Sequence, residues 1–219
     1  MGIFADLHGS GYDDLILACQ NNGTHTDITS IIYFGGPEGL SENYRMELPA
    51  PNAIDVVAGD FNGDGKQELV FVSDDKLRMF YQSAVGFSPA DLVDYDVNAV
   101  SLAAGDLDGD GICDLVIKRK DGRVGIIFGS VQGLQTADVL WIGSQRQENG
   151  VAEGSSTAGM AATATQWRPT VVSSMGYNLL FCVEGEDILL YRCDAYRQLE
   201  VVHKLHCPNA VDIKLADLT

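Results

Sequence analysis

Gly105-Asp106-Leu107-Asp108-Gly109-Asp110-Gly111-Ile112-Cys113-Asp114-Leu115 is the stretch on which the reading of this chain turns. It sets carboxylates at Asp106, Asp108, Asp110 and Asp114, positions 1, 3, 5 and 9 of a short loop. Gly111 at position 6 permits the sharp turn that aims those oxygens inward. Four carboxylates packed this closely repel one another unless a cation sits among them. An all-oxygen cage suits a hard cation, Ca2+ best, and the Ile112 carbonyl at position 7 supplies a further ligand. Asx turns alone also place Asp and Gly together, but they do not call for the full ligand spacing. Position 12 is Ile117, inside the β-branched run Leu115-Val116-Ile117-Lys118. An EF-hand needs a bidentate Glu there and a helix, so this loop feeds a strand instead.

The pattern recurs upstream. In Gly59-Asp60-Phe61-Asn62-Gly63-Asp64-Gly65-Lys66-Gln67-Glu68-Leu69 the side chains of Asp60, Asn62, Asp64 and Glu68 and the Lys66 carbonyl take the same places, ahead of the strand-like Leu69 to Val72. A third copy, at the start of the chain, keeps Asp6 and Asp14 but has His8, Ser10 and the Tyr12 carbonyl between them. Histidine is a poor Ca2+ ligand and Ser10 is neutral, so these five are weak candidates. Two Ca2+ sites are expected, at the second and third loops, and occupancy of the first is doubtful.

Repetition at this spacing means repeated supersecondary units. Between loops the chain runs strand, tight turn, strand and looser strand, with turns at Asp74-Asp75 and Asp121-Gly122. Four antiparallel strands in units of about 50 residues make a propeller blade. The expected fold is all-β, about four four-stranded units in a single domain, a small propeller or part of a larger ring. The repeats run over 3–52, 53–98, 99–157 and 158–209, and 210–219 begins another. The Ser-, Gly- and Ala-rich stretch from Gly143 to Thr165 breaks the rhythm and reads as a long loop. The fourth unit has no cation loop.

The loop pattern, followed by Phe34-Gly35-Gly36 with Gly39-Leu40, and by Phe128-Gly129-Ser130 with Gly133-Leu134, resembles the FG-GAP/VCBS-type repeat. Tyr81-Gln82-Ser83 with Gly86-Phe87 is a weaker version. The resemblance covers about the first two-thirds of the chain. It implies the blades of a propeller like that of integrin α-subunits and many bacterial surface proteins. It also implies calcium ions that brace hairpin loops, and protein or glycan ligands on surface loops.

Composition sets outer bounds. A chain of 219 residues with 46% hydrophobic content can bury a large core. A net charge of −17, much of it in the loops, argues against nucleic-acid binding. No run is long enough to span a membrane, and no signal-peptide pattern opens the chain. Five cysteines without paired spacing read as reduced, buried thiols rather than disulfides or zinc ligands. They suit the cytoplasm as well as the extracellular or cell-surface location that the resemblance implies. His203, His206 and Cys207 read as outer-strand residues rather than a soft-metal cluster. The Asn22-Gly23-Thr24 sequon is best taken as chance.

No G-x-S-x-G or H-E-x-x-H is present, and Glu153, Glu184 and Glu186 are isolated acids. Trp141, Trp167, Tyr177 and Tyr196 could form a sugar platform, though ordinary packing explains them better. A non-catalytic calcium-stabilised binding or scaffold module is therefore the first expectation. The rival is the propeller of a polysaccharide lyase or related carbohydrate-active enzyme, which would need a basic subsite for uronates; the 14 Lys and Arg residues weigh against it. A repeat piece without any ligand is the third reading. Blades at the end of an arc expose apolar flanks, so self-association is expected.

Overall fold

The computed structural model describes residues 1–21, 23–25, 27–142, 168–174 and 177–207. The expected strand from Val211 to Leu215 and the stretch from Gly143 to Thr165 lie outside them, as does Trp167. Among the described residues there is no helix; sixteen strands form four four-stranded antiparallel sheets. Sheet 1 is β1 (Gly2–Ala5), β2 (Asp14–Leu17), β3 (Ser30–Tyr33) and β4 (Arg45–Leu48). Sheet 2 is β5 (Ala53–Gly59), β6 (Glu68–Ser73), β7 (Lys76–Ser83) and β8 (Gly86–Tyr95). Sheet 3 is β9 (Ser101–Gly105), β10 (Asp114–Lys118), β11 (Val124–Ile127) and β12 (Leu140–Trp141). Sheet 4 is β13 (Thr170–Ser174), β14 (Tyr177–Glu184), β15 (Asp187–Cys193) and β16 (Leu199–His206). In each the strands lie in chain order, as in a blade.

The apolar runs explain how the sheets stack. Every residue of β6 and β10 is buried, because both faces of these sheets are covered. Strands buried on both sides read as continuous hydrophobic runs rather than alternating ones. Leu69, Phe71 and Phe80 pack toward sheet 1 with Ile16 and Ile32. Val70, Val72 and Met79 pack the other way, against Leu115, Ile117 and Ile127 of sheet 3. Val116 and Ile126 then meet Leu180 and Cys182 of sheet 4. Phe71 and Phe80 touch edge to face, with ring centroids 5.8 Å apart. Each such buried side chain contributes roughly 1.5–3 kcal/mol.

Sheet 1 differs. Its strands β2 and β3 alternate between buried and half-buried. Leu15 and Leu17 occupy the places of Leu69 and Phe71, or of Leu115 and Ile117, yet they remain partly exposed. Phe4 pairs across from Leu15 and is 66% exposed. Among the described residues no core cluster joins sheet 1 to sheet 4.

A polar thread also runs between the inner strands. Asp55 is buried and accepts hydrogen bonds from the Val56 and Leu102 amides, both at 2.8 Å. Arg168 donates to the same carboxylate, to the Ser101 hydroxyl at 3.2 Å and to the Met1 sulfur at 2.9 Å. One side chain from the start of the fourth unit thus contacts the second unit, the third unit and Met1, the residue that leads into β1. The guanidinium also neutralises a carboxylate that would otherwise be buried and uncompensated.

Candidate metal centre

Each cation loop connects the first and second strands of its sheet. In the second loop Asp60 accepts from three backbone amides: Gly63 and Asp64 to Oδ1 at 2.7 and 3.1 Å, and Gly65 to Oδ2 at 2.8 Å. The third loop repeats this around Asp106, with Gly109 at 2.7 Å, Asp110 at 3.1 Å and Gly111 at 2.9 Å. The first loop has a shorter version, from Ser10 and Gly11 to Asp6. Position 1 is therefore the hub that winds the loop, whatever fills its centre.

The last ligand position ties the loop to its sheet. Asp114 is fully buried and accepts from the Leu107 amide at 2.7 Å and the Gly129 amide at 2.9 Å. This explains the Phe-Gly pair: a Cβ on Gly129 would stand 2.3 Å from the Cys113 carbonyl oxygen. Only glycine lets the third strand's exit approach that closely. Gly35 makes the same bond to Asp14 at 2.7 Å.

Sheet 2 breaks the pattern. Its counterpart of Gly129 is Gln82, whose side-chain amide turns away to the Leu7 carbonyl at 2.9 Å. Glu68, one methylene longer than Asp, accepts only from the Phe61 amide, through Oε2 at 2.8 Å. Its Oε1 is buried without a hydrogen-bond partner. A buried carboxylate oxygen left unpaired costs free energy, and a cation would remove that cost.

Carboxylates of Asp60, Asp64 and Glu68 offer oxygens within 4.8 Å of one another; so do those of Asp106, Asp108 and Asp114. These all-oxygen sets fit a hard cation such as Ca2+, and Glu68 Oε1 is the buried oxygen among them without a hydrogen-bond partner. Asp110 is not part of the converging group; its Oδ1 accepts from the Ile112 amide at 2.8 Å. Asn62 Oδ1 accepts from the Asp64 amide at 2.9 Å.

The first loop gathers no such group among the described residues. His8 Nδ1 lies 3.1 Å from Asp14 Oδ2, and the Ser10 hydroxyl donates to Asp6 Oδ1 at 3.3 Å and to the Tyr12 carbonyl at 3.3 Å. Protein donors hold the oxygens that a cation would hold elsewhere. The amides of Gly11 and Ser10 keep Asp6 below the usual carboxylate range.

Burial pushes Glu68 up to about 7, and the negative charges of Asp60 and Asp64 add to this against the Phe61 hydrogen bond. Burial likewise pushes Asp114 up to about 7, against its bonds to Gly129 and Leu107. Without a cation, each binds a proton in the fold at pH values where the unfolded chain has released it. Cation binding must expel that proton. Calorimetric Ca2+ titrations in buffers of different ionisation enthalpy should therefore show about one proton released per ion at pH 6 and almost none at pH 9. Equal release at both pH values would contradict this assignment.

The other expectations stand apart from these loops. His206 Nδ1 is 3.1 Å from Asp187 Oδ1, and no group at His203, His206 and Cys207 converges for a metal. Trp141 is half-buried with Arg123 over its ring at 5.1 Å, while Tyr196, in the turn before β16, is 85% exposed. No cysteine among the five is paired. Sequence reasoning passed over Arg197, whose Nε donates to Asp108 Oδ2 at 3.0 Å. Spacing gave no signal: Gly39, Gly86 and Gly133 recur every 47 residues, a step that reaches Leu180 rather than Arg197.

Residues 60–117 match the family model of the FG-GAP-like repeat, so the chain carries that repeat across its second and third loops. No curated protein matches the chain. Among solved structures, a functionally unknown protein from Desulfotomaculum acetoxidans DSM 771 is similar at 13% identity and a TM-score of 0.47, over 87% of this chain and 52% of that one. BBS1N, from its complex with ARL6DN soaked with lead, is similar at 12% identity and a TM-score of 0.42, over 94% of this chain and 66% of that one. The present chain thus spans about half the length of the first of these proteins. No helix among the described residues is long and apolar enough to cross a membrane.

Proposed function

We propose that this chain is a non-catalytic binding or scaffold module of a secreted or cell-surface protein, braced by Ca2+ in its second and third loops. The observation that carries the reading is the Glu68 Oε1 atom, buried without a partner beside Asp60 and Asp64. Glu68 and Asp114, Asp60 and Asp106, Asp64, Asn62, Asp108 and Asp110, with the Lys66 and Ile112 carbonyls, would hold the two ions. When bound, Ca2+ supplies charge neutralisation. The chain's own residues wind each loop around position 1 and anchor position 9 into the sheet.

A groove of about 500 Å³ between the first and second loops is the place where a ligand would sit. Asp6, His8, Lys66, Gln67, Gln82 and Ser83 line it, a mixture of donors and acceptors suited to glycan hydroxyls. The half-covered face of sheet 1, at Phe4, Leu15 and Leu17, is where self-association would occur. Glycan-array binding in Ca2+ and in EGTA tests the ligand reading. Calcium-dependent retention of a glycan without its cleavage supports a binding module. Release of unsaturated uronates would show an enzyme instead, and retention of proteins alone would move the ligand away from this groove.

A further inference from the structure

Arg197 has a backbone that arginine seldom adopts. Its φ is 62°, in the left-handed region. It lies in the turn between β15 and β16, where the Asp194 side chain accepts from the Tyr196 and Gln198 amides, both at 2.9 Å. The Arg197 amide closes the turn on the Asp194 carbonyl at 2.8 Å. The first three units make this turn with glycine. Gly39 (φ 86°), Gly86 (φ 96°) and Gly133 (φ 82°) occupy the same place, and Gly39 and Gly133 close on the residue three earlier just as Arg197 does. Only the fourth unit carries a side chain there, at a position where glycine would be free of strain.

That side chain reaches the neighbouring cation loop. The guanidinium lies over the Phe128 ring, 4.3 Å from its centroid, and Nε donates to Asp108 Oδ2. Asp108 is buried, and its Oδ1 accepts from the Asp110 amide at 3.2 Å. A second contact from sheet 4 runs beside it, from the Asn178 side-chain amide to the Asp106 carbonyl. The two strong loops differ at this position. Position 3 is the neutral Asn62 in the second loop and the charged Asp108 in the third, so the third loop holds one more carboxylate. Among the described residues, no arginine hydrogen-bonds to the second loop.

We propose that Arg197 is a positioning residue for the cation of the third loop. It holds one oxygen of Asp108 and offsets the extra negative charge, so that the other oxygen stays turned toward Asp106 and Asp114. The guanidinium suits this task because it can hydrogen-bond the carboxylate through one N–H while its cationic centre lies over the Phe128 ring. The fourth sheet, which has no cation loop of its own, thereby contributes to the third one. The inference rests on the cation reading of that loop and names what tunes its affinity. Partners behind a ligating carboxylate typically change affinity ten- to a hundredfold when removed.

Arg197→Gly is the decisive variant, because it installs the residue that the other three turns use. Ca2+ titration calorimetry of the third loop, isolated by Glu68→Gln, should show affinity reduced about tenfold or more by Arg197→Gly. The second loop, isolated by Asp106→Asn, should keep its affinity. Arg197→Lys, which restores charge without the guanidinium, should recover part of the loss. Unchanged or tighter binding at the third loop in Arg197→Gly overturns the proposal and makes Arg197 a bystander or a competitor of the ion. An equal loss at both loops overturns it too, as a general folding defect. Absence of Ca2+ binding in the Glu68→Gln chain with Arg197 intact overturns the cation reading itself, and the role of Arg197 with it.

Discussion

Calcium should raise the melting temperature of this protein by about 10–20 °C, and EGTA should abolish the gain. An ion bound only by the folded chain at 100 times its dissociation constant stabilises by about 2.7 kcal/mol. Two loops give about 5 kcal/mol together, and each kcal/mol shifts the melt of a domain this size by about 2–4 °C. Much of the gain would come from removing a defect rather than adding a contact. In the second loop a cation would give Glu68 Oε1 the partner it lacks and relieve its repulsion from Asp60 and Asp64. In the third it would offset the charges of Asp108 and Asp110, which work against ionised Asp114. Differential scanning calorimetry with and without Ca2+ would check this; superimposable melts would remove the cation from the account.

Glu68→Gln should have opposite effects in the two conditions. The carbonyl of the new glutamine can still accept from Phe61, and its amide can fill the site of Oε1 and donate to Asp60 or Asp64. In EGTA the change should stabilise. A buried carboxyl with a folded pKa of about 7 and an unfolded one near 4.5 binds more protons in the fold between those values. Metal-free stability therefore falls as pH rises from 4.5 to 7, and the loss is complete above 7. At pH 8 that loss is on the order of 3 kcal/mol, and glutamine escapes it. In saturating Ca2+ the same variant should melt below the unaltered chain, because it has lost one ion. Melts of both proteins at pH 8 and pH 5, in EGTA and in Ca2+, test the crossover. A Glu68→Gln chain less stable than the unaltered one in EGTA would show that Glu68 is not strained there.

The parts of the fold that were legible are those fixed by local chemistry. The ligand spacing from Asp106 to Asp114, the turn at Asp74-Asp75 and the apolar runs of β6 and β10 each carry their own signal. Asp74 and Asp75 have φ of 50° and 61°, the left-handed pair that a two-residue hairpin turn requires. In the first loop His8 and Ser10 stand where the other loops carry Asp or Asn, and the structure gives them hydrogen bonds to Asp14 and Asp6. What was not legible depends on residues far apart in the chain. The loss of the Gly129-type bond at Gln82 leaves Glu68 Oε1 unpaired, a consequence seen only when β6 and β7 are paired. Asp55 meets Arg168 across 113 positions, and Asp108 meets Arg197 across 89. Neither pair has a local pattern. The sheet stacking creates both, by bringing inner strands together at one end and cation loops against the next sheet at the other.

Isothermal titration of the metal-free chain with Ca2+ tests the central claim most directly. Two ions per chain are expected, falling to one in Glu68→Gln and staying at two in Ser10→Ala, because the Ser10 hydroxyl is a weak ligand candidate that donates to Asp6 and the Tyr12 carbonyl. Zero ions in the unaltered chain, or loss of a full ion in Ser10→Ala, would contradict it.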